Sequence, residues 1–179
     1  KLKSAGVVAT LIMAGATNAN ANILFDIYAG ATVGMGAETM FAGHDNDTAA
    51  AQAYGAVVGL DIPFVRGELE YNYLDGKDID MHLGMVNVYA KMPTPIVQPY
   101  IGAGVGTIFD GKIKDAHNID IDADMAYQAM VGVTFNLPIM PLKIDAEARA
   151  LYIQDVYKIE GATPDMLHYD ARVKLRYIF

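Results

Sequence analysis

The sequence predicts an all-β protein in which eight antiparallel strands close into an up-and-down barrel around a filled, polar lumen. Three observations favour this fold class. Eight segments alternate apolar and polar residues with period two. Short proline-rich connections alternate with longer polar ones, and several strands carry dense charge opposite a clean apolar face. This combination, with the apolar face directed at lipid, is typical of a transmembrane β-barrel.

Composition limits the classes of protein and site that are possible. The chain has 179 residues, including 17 glycines and 11 tyrosines but no tryptophan and no cysteine, and its mean hydropathy is +0.21. Without cysteine, a disulfide framework and a thiolate metal site are both excluded. No apolar run after residue 21 approaches the roughly 18 residues that a membrane-spanning helix needs.

Residues 1–21 are predicted to be a secretory signal peptide, followed by a barrel domain at 22–179. Lys1 and Lys3 give a basic start, an apolar run follows, and Ala19 and Ala21 have the spacing that signal peptidase cleaves. The alternative is an N-terminal core helix. Without the two lysines the formal charge changes from −8 to −10. A chain this acidic is not expected to bind nucleic acid, which requires basic patches.

The first four predicted strands each have one apolar face. Ile23–Met35 alternates apolar residues with glycine, threonine, tyrosine and aspartate, and Ala51–Ile62 sets valine and leucine mainly opposite glycine. Val65–Tyr73 sets valine, leucine and tyrosine opposite arginine, glutamate and asparagine. Asp80–Met92 alternates cleanly only in its second half, which predicts a β-bulge in its first half.

The last four predicted strands continue the pattern. Val97–Phe109 has three glycines opposite isoleucine, alanine and valine, and Met125–Leu137 has an almost unbroken apolar face. Leu142–Tyr152 sets alanines opposite lysine, aspartate, glutamate and arginine. Leu167–Phe179 sets apolar and aromatic residues opposite histidine, aspartate, arginine and lysine. Each segment is long enough for the roughly ten tilted residues that cross an outer membrane.

The connections are predicted to differ between the two ends of the barrel. The short turns are Ile62–Phe64, Met92–Ile96 and Leu137–Pro141, all containing proline. The connections after strands one, three, five and seven are polar and mostly longer, as at 36–50 and 110–124. Outer-membrane barrels have short periplasmic turns and longer extracellular loops.

The charged faces are predicted to converge inside the barrel, where acids and bases form a network of ion pairs. Eight strands leave room for side chains but not for an aqueous channel, and the glycine faces give long side chains space to extend. The predicted lumen network comprises Asp26, Asp61, Arg66, Glu68, Glu70, Lys143, Asp145, Glu147, Arg149, Asp170, Arg172, Lys174 and Arg176. Positions predicted to face lipid include Val105, Val131, Ala171, Val173 and Leu175.

The alternative arrangement is a soluble, lipocalin-like ligand-binding barrel with its apolar faces turned inward. Aromatic residues at the predicted strand ends favour the membrane arrangement, because aromatic girdles lie at membrane interfaces. These residues are Tyr71, Tyr73, Tyr152, Tyr177 and Phe179.

Four stretches carry a resemblance to a known family: "GELEYNY", "MVNVYAKM" running into "QPYIGAGVG", and "VKLRYIF". Over essentially all of 22–179 the chain resembles the small OmpA-like and Opa-like outer-membrane β-barrels of Gram-negative bacteria. The resemblance implies an outer-membrane location among lipid and lipopolysaccharide. It also implies that Tyr177 and Phe179 form the C-terminal insertion signal read by the barrel assembly machinery.

Residue content argues against enzymatic chemistry. The only serine is Ser4, so residues 22–179 offer neither a serine nor a cysteine nucleophile. His44, His82 and His117 each lie near an aspartate, but solvated loop residues are the favoured interpretation. "GAGVG" lacks the third glycine of a dinucleotide fingerprint. No catalytic site and no cofactor are therefore expected.

Asp120, Asp122 and Asp124 share one face of a predicted extended segment. They are candidates for binding a divalent cation, or for a cation bridge to lipopolysaccharide, and a hydrated loop flank is the alternative.

The expected function is that of a non-enzymatic, surface-exposed structural or interaction protein whose loops contact envelope or host components. A narrow porin or hydrophobic-solute conduit and the soluble ligand-binding barrel are the alternatives.

Overall fold

The computed structural model describes residues 25–41, 48–75, 79–113, 125–137, 139–154 and 165–179. In these residues eight strands form one closed barrel, each pairing with its neighbours in the chain and the last with the first. The predicted fold class is confirmed. The strands are β1 (Asp26–Phe41), β2 (Thr48–Asp61), β3 (Val65–Asp75), β4 (Ile79–Lys91), β5 (Val97–Ile113), β6 (Ala126–Asn136), β7 (Leu142–Ile153) and β8 (Asp165–Ile178).

We call the end with the three short turns the turn end, and the opposite end the loop end. Among the described residues no helix is long and apolar enough to cross a membrane.

Two strands extend at least four residues further towards the loop end than predicted. β1 continues to Phe41 and β5 to Ile113, in segments that were expected to be loops. The backbone ladder persists there, as in the pairing of Thr39 with Thr48. Side-chain alternation identifies a strand only where its two faces meet different surroundings, so it does not reveal pairing beyond the apolar band.

A register shift between β4 and β5 lies beside the first half of β4, but the bulged residue belongs to β5 and not to β4 as predicted. His82 pairs with Asp110 whereas Leu83 pairs with Ile108, which leaves Phe109 as the extra residue on β5. A bulge of this kind bends the strand and increases its twist.

The stagger of the barrel follows from its pairing. A path that starts at Gly30 and follows paired residues through all eight strands returns to β1 at Met40, ten residues further along. Strand number and stagger together set the tilt, which is about 40° here and within the usual range for barrels. An eight-stranded barrel with this geometry encloses space for side chains only.

The outer surface of the barrel is apolar. The five positions predicted to face lipid all point outward, and the side chains of Val131 and Val173 are 57% and 51% exposed. Outward aromatic residues form two rings, one towards each end. The loop-side aromatic ring includes Tyr54, Tyr71, Tyr127 and Tyr169. The turn-side aromatic ring includes Phe25, Phe64, Phe135 and Tyr177.

Arginine placed in the middle of this outer surface should strongly destabilise the barrel in lipid. For Val131→Arg, midway between Tyr127 and Phe135 on β6, we expect a loss of about 2–4 kcal/mol; Ala171→Arg and Val105→Arg lie closer to the loop-side aromatic ring and should cost less, but more than the about 0–1 kcal/mol of the rim control Val65→Arg. Reversible folding into lipid vesicles measures each loss. Costs near zero for Val131→Arg, Ala171→Arg and Val105→Arg would mean that the outer surface does not contact the bilayer core.

Candidate functional site

The lumen is filled by buried charged side chains arranged in three tiers, which we number from the turn end. They project from the inward positions of β2, β3, β4, β7 and β8. Most of the side chains involved are less than 5% exposed. Each tier combines acids and bases, as a buried charge requires if it is to remain ionised.

Tier one is built around two aspartates. Arg176 donates two hydrogen bonds to Asp145, at 2.8 and 2.9 Å, and Arg66 donates a third at 3.0 Å. Asp61 accepts from Lys143 at 2.9 Å, from Arg176 at 3.3 Å, and also from Lys91. Four bases therefore surround two acids.

Tier two joins glutamates to tyrosines. Lys174 lies 2.6 Å from Glu68, which also accepts hydrogen bonds from the hydroxyl groups of Tyr28 and Tyr89 at 2.6 and 2.9 Å. Across the lumen, Tyr100 donates to Glu147 at 2.9 Å. These tyrosines stabilise a surplus of carboxylates that a single lysine does not neutralise.

A stacked arginine links tiers one and two. The guanidinium carbon of Arg66 lies 3.8 Å from the centroid of the Tyr89 ring and 4.7 Å from that of Tyr100. A cation over an aromatic face is stabilised electrostatically, and more so when both groups are desolvated.

Tier three is the most densely connected. Arg172 donates to both oxygens of Asp170, at 2.9 and 2.8 Å, and to Glu70 at 2.8 Å. Arg149 also donates to Asp170, at 3.1 and 2.9 Å. His168 lies 3.1 Å from the same carboxylate. Such bidentate arginine–carboxylate pairs fix geometry as well as adding energy.

Two amides complete tier three. Asn87 and Gln128 donate to the second oxygen of Glu70 at 2.6 and 3.1 Å, and Gln128 accepts from Arg149 at 2.9 Å. Neither amide was predicted to belong to the network.

An apolar plug closes the lumen beyond tier three, at the loop end. Its members occupy inward strand positions, and each is at most 2% exposed. They are Ala53, Leu74, Met81, Leu83, Met85, Ala126, Leu151, Ile153 and Met166. The sequence analysis did not predict this plug, although the inward parity of its residues on β3, β7 and β8 is the signal that could have revealed it.

A glycine on β5 provides the space for tier two. An added Cβ at Gly102 would collide with the Tyr89 ring, which lies across that wall of the lumen. The large inward side chains of the other strands therefore depend on the small inward residues of β5.

Twelve of the thirteen predicted network residues extend into the lumen, and Asp26 does not. The side chain of Asp26 is 45% exposed and lies at the turn-end rim, 3.9 Å from Lys143. It is an exposed rim residue because β1 begins there and its first side chains extend past the lumen. Lys91, Tyr28, Tyr89 and Tyr100 are network members that the sequence analysis missed; their inward parity was the available signal.

Charge is strongly segregated along the barrel axis. The lumen and its turn-end rim hold seven acids and seven bases, counting Asp26 and Lys91. Of the 21 acids and 13 bases in the chain, this leaves 14 acids and four lysines once Lys1 and Lys3 are set aside. In the sequence, these eighteen residues fall in the connections that follow β1, β3, β5 and β7 or in the strand segments next to them, and their formal charges sum to −10.

The candidate catalytic and metal residues are only partly covered by the structure. His44, His117, Asp120, Asp122 and Asp124 lie outside the described residues. Within the described part of the chain, no three histidine or carboxylate side chains are placed to hold a metal ion. His82 points outward on β4, where its Nδ1 lies 2.6 Å from the hydroxyl group of Tyr71.

Comparison with known proteins identifies the fold. No protein-family model and no curated protein matches the chain. Neisserial surface protein A is similar in structure, with a TM-score of 0.60 and 17% identity over 86% of this chain and 97% of that one. The outer membrane enzyme PagL gives a TM-score of 0.56 at 10% identity, over 81% and 97% of the two chains.

The chain has the fold of the small outer-membrane β-barrels. One of these two similar structures is named as a surface protein and the other as an enzyme. The fold alone therefore does not decide the activity.

Removing Arg172 from tier three should destabilise the barrel. We expect Arg172→Met to cost about 3 kcal/mol, because the fully buried carboxylates of Asp170 and Glu70 are then left to share one cation, Arg149. Adding Glu70→Gln should recover part of the loss, since Asp170 and Arg149 then form a balanced pair. The free energy of unfolding in vesicles measures both variants and their coupling.

Lys143→Met is the matched control, because Lys143 is 17% exposed and Asp61 keeps Lys91 and Arg176. Its loss should stay below about 1 kcal/mol. Equal losses for Arg172→Met and Lys143→Met would contradict the structural role assigned to tier three.

Proposed function

We propose that this protein is a non-enzymatic barrel of the Gram-negative outer membrane, exposed at the cell surface, whose loop end contacts envelope or host components. Residues 1–21 would act as its export signal. We also propose that it is related to the OmpA-like and Opa-like barrels, on the basis of stretches such as "GELEYNY" and "VKLRYIF".

The observation that carries the proposal is the filled lumen. Three tiers of ion pairs and an apolar plug occupy the interior that the described strands enclose. A conduit needs a continuous path, and the charged groups of the three tiers cannot move apart without leaving a charge or a polar group unpaired. A narrow porin or hydrophobic-solute conduit is therefore the weaker candidate, and contacts at the surface are the stronger one.

The distribution of polarity argues against a soluble ligand-binding barrel. Such a barrel encloses an apolar cavity and exposes charge to water. Here Arg66, Arg176 and Lys174 are inside, at most 1% exposed, whereas Val131, Leu69 and Ile101 are outside, each more than half exposed. This arrangement suits lipid outside and ion pairs within.

Charge at the loop end suggests the chemistry of a partner. Fourteen acids against four lysines favour a basic protein surface, or lipopolysaccharide phosphates bridged by divalent cations. Asp120, Asp122 and Asp124 are the candidates for such a bridge. Nucleic acid is not an expected partner, because like charges repel.

The absence of catalysis is proposed from residue content. PagL is named as an enzyme, but residues 22–179 of this chain contain neither serine nor cysteine. We therefore assign no catalytic residue and no cofactor.

Assembly is proposed to use the barrel assembly machinery through Tyr177 and Phe179. Their rings meet edge to face at 5.2 Å, and the backbone N–H of Phe179 donates to Ile27 at 2.9 Å. These two residues thus lie where β8 pairs with β1, the pairing that closes the barrel.

A filled lumen should not conduct. In planar bilayers the folded protein should give no steady large openings. Leu83→Ala with Met166→Ala should also stay closed, because the ion tiers lie beneath the plug that these changes thin. Steady large conductance from the unmodified protein would favour the porin alternative and contradict the proposal.

Phe179→Ala should impair assembly in cells far more than folding into detergent micelles. In micelles only one rim contact is lost, whereas in cells the proposed recognition residue is lost. Phe135→Ala, another outward aromatic at the turn end, is the control for that rim contact. The measurement is outer-membrane yield against folded fraction in micelles. If the ratio of outer-membrane yield to folded fraction were similar for Phe179→Ala and Phe135→Ala, Phe179 would have a packing role only.

A further inference from the structure

The turn end of the barrel carries no charge in its connections. The three turns read Ile-Pro-Phe, Met-Pro-Thr-Pro-Ile and Leu-Pro-Ile-Met-Pro, thirteen residues in which Thr94 alone is polar. Turns that project into water are normally rich in glycine, asparagine, aspartate and serine. This composition is therefore unlike that of a solvated turn.

The apolar side chains of these turns are exposed rather than packed. We call six of them the turn-end ring. Their exposed fractions are 46%, 65%, 64%, 62%, 97% and 52%, for Ile62, Phe64, Met92, Ile96, Ile139 and Met140 respectively. The three turns are spaced around the rim, so the ring surrounds the partly exposed charges of Asp26 and Lys143.

The backbone of the turns is suited to an environment poor in water. Five of the thirteen residues are prolines, which have no N–H group to satisfy. Backbone N–H groups that donate to backbone carbonyls include those of Ile62, Met92, Thr94, Leu137 and Met140. In lipid each unsatisfied backbone group costs several kcal/mol, so this pairing favours immersion.

Neighbouring strands take up further carbonyl groups of the turns. Phe64 accepts from the N–H of Lys91 at 2.9 Å, and Ile96 accepts from that of Asn136 at 2.9 Å. Pro141 accepts from Ile178 at 2.8 Å. Each turn is thus tied to the adjacent strand, which holds the ring as one rigid rim.

The height of the barrel also favours immersion of the turns in lipid. Tyr127 and Phe135 are eight residues apart on β6, and so are Tyr169 and Tyr177 on β8. At about 3.3 Å per residue and a tilt of about 40°, eight residues span about 20 Å along the membrane normal. The apolar band of an outer-membrane barrel is about 25 Å tall, so the strands between the two aromatic rings fall about 5 Å short.

We propose that the turn-end ring is immersed in the phospholipid leaflet on the turn side, where it completes the apolar band. The ring is continuous with the lipid-facing surface through Phe25, Leu60 and Val97, which favours lipid over a separate protein partner. This inference rests on the proposed membrane location.

The sequence contains no tryptophan, so a single introduced tryptophan is the only source of tryptophan fluorescence. The test measures that fluorescence. Ile139→Trp places it in the ring. Val131→Trp, on the outer face of β6, is the immersed control, and Gln154→Trp, beyond the loop end of β7, is the aqueous control. Each protein is folded into phosphatidylethanolamine–phosphatidylglycerol vesicles, with and without brominated acyl chains.

Ile139→Trp should resemble Val131→Trp. We expect its emission to shift to shorter wavelength, to be quenched by the brominated lipid, and to lose most of the iodide quenching that Gln154→Trp shows. Tryptophan itself favours interfaces. A second probe, Ile96→Trp, is therefore measured in two proteins, one with and one without the substitutions Ile139→Asp and Met140→Asp. If the apolar turn-end ring holds the rim in the lipid, these two substitutions should make the tryptophan at position 96 accessible to iodide.

Three outcomes would overturn the inference. Iodide-accessible, bromine-insensitive emission from Ile139→Trp in a folded protein would place the ring in water. Shielding that arises only when periplasmic extract is added would make the ring a protein-docking surface. Failure of the unmodified chain to gain β-structure or protease resistance in vesicles would instead remove the proposed membrane location, and the inference with it.

Discussion

Closure of the barrel is the constraint on which the rest of the structure depends. Fourteen paired positions join β1 to β8, from Tyr28 with Ile178 to Phe41 with Asp165. An open edge would leave a row of N–H and C=O groups without partners in lipid, at a cost of several kcal/mol each. Closure in turn isolates the interior from bulk water. Every inward side chain must then find its partner within the barrel.

Most inward polar groups meet this requirement by charge balance and complementary size, while individual atoms of Thr32, Arg66 and Glu147 are among those left without a hydrogen-bond partner. Long charged residues of β3, β7 and β8 extend across the lumen, and the glycines of β5 leave room for them. Because acids and bases are equal in number when Asp26 at the rim is counted, the described lumen and its turn-end rim together are formally neutral. The turn end carries no charge in its connections, and the loop end carries all of the excess. This division places apolar surface where lipid is expected and charge where partners can reach it.

Period-two alternation predicted the strands and their two faces, because the side chains of a half-buried strand must alternate. It also predicted which charged residues point inward. It could not predict the three tiers, since the partners of each side chain depend on the ten-residue stagger of the closed barrel. Arg176, for example, meets Asp145 on the adjacent strand but also Asp61 on β2.

Tyrosines occupy both faces of the barrel. Tyr71, one of the predicted girdle residues, points outward, whereas Tyr28, Tyr89 and Tyr100, which the girdle prediction did not include, point into the lumen. The plug was missed because apolar residues at inward positions look like a failure of alternation. Leu74, which directly follows Tyr73, is completely buried. Apolar packing and ion pairing can both fill a lumen, so an apolar residue at an inward position, such as Leu74, indicates a plug and not a break in the strand.

The strands β1 to β8 close a barrel with charge inside and lipid outside. Gel migration of unheated and boiled samples in detergent, together with protease resistance of the unheated sample, tests this arrangement most directly. We expect a compact, protease-resistant unheated form that migrates differently from the boiled form. Identical migration, with complete digestion of the unheated protein after transfer to detergent or lipid, would contradict it.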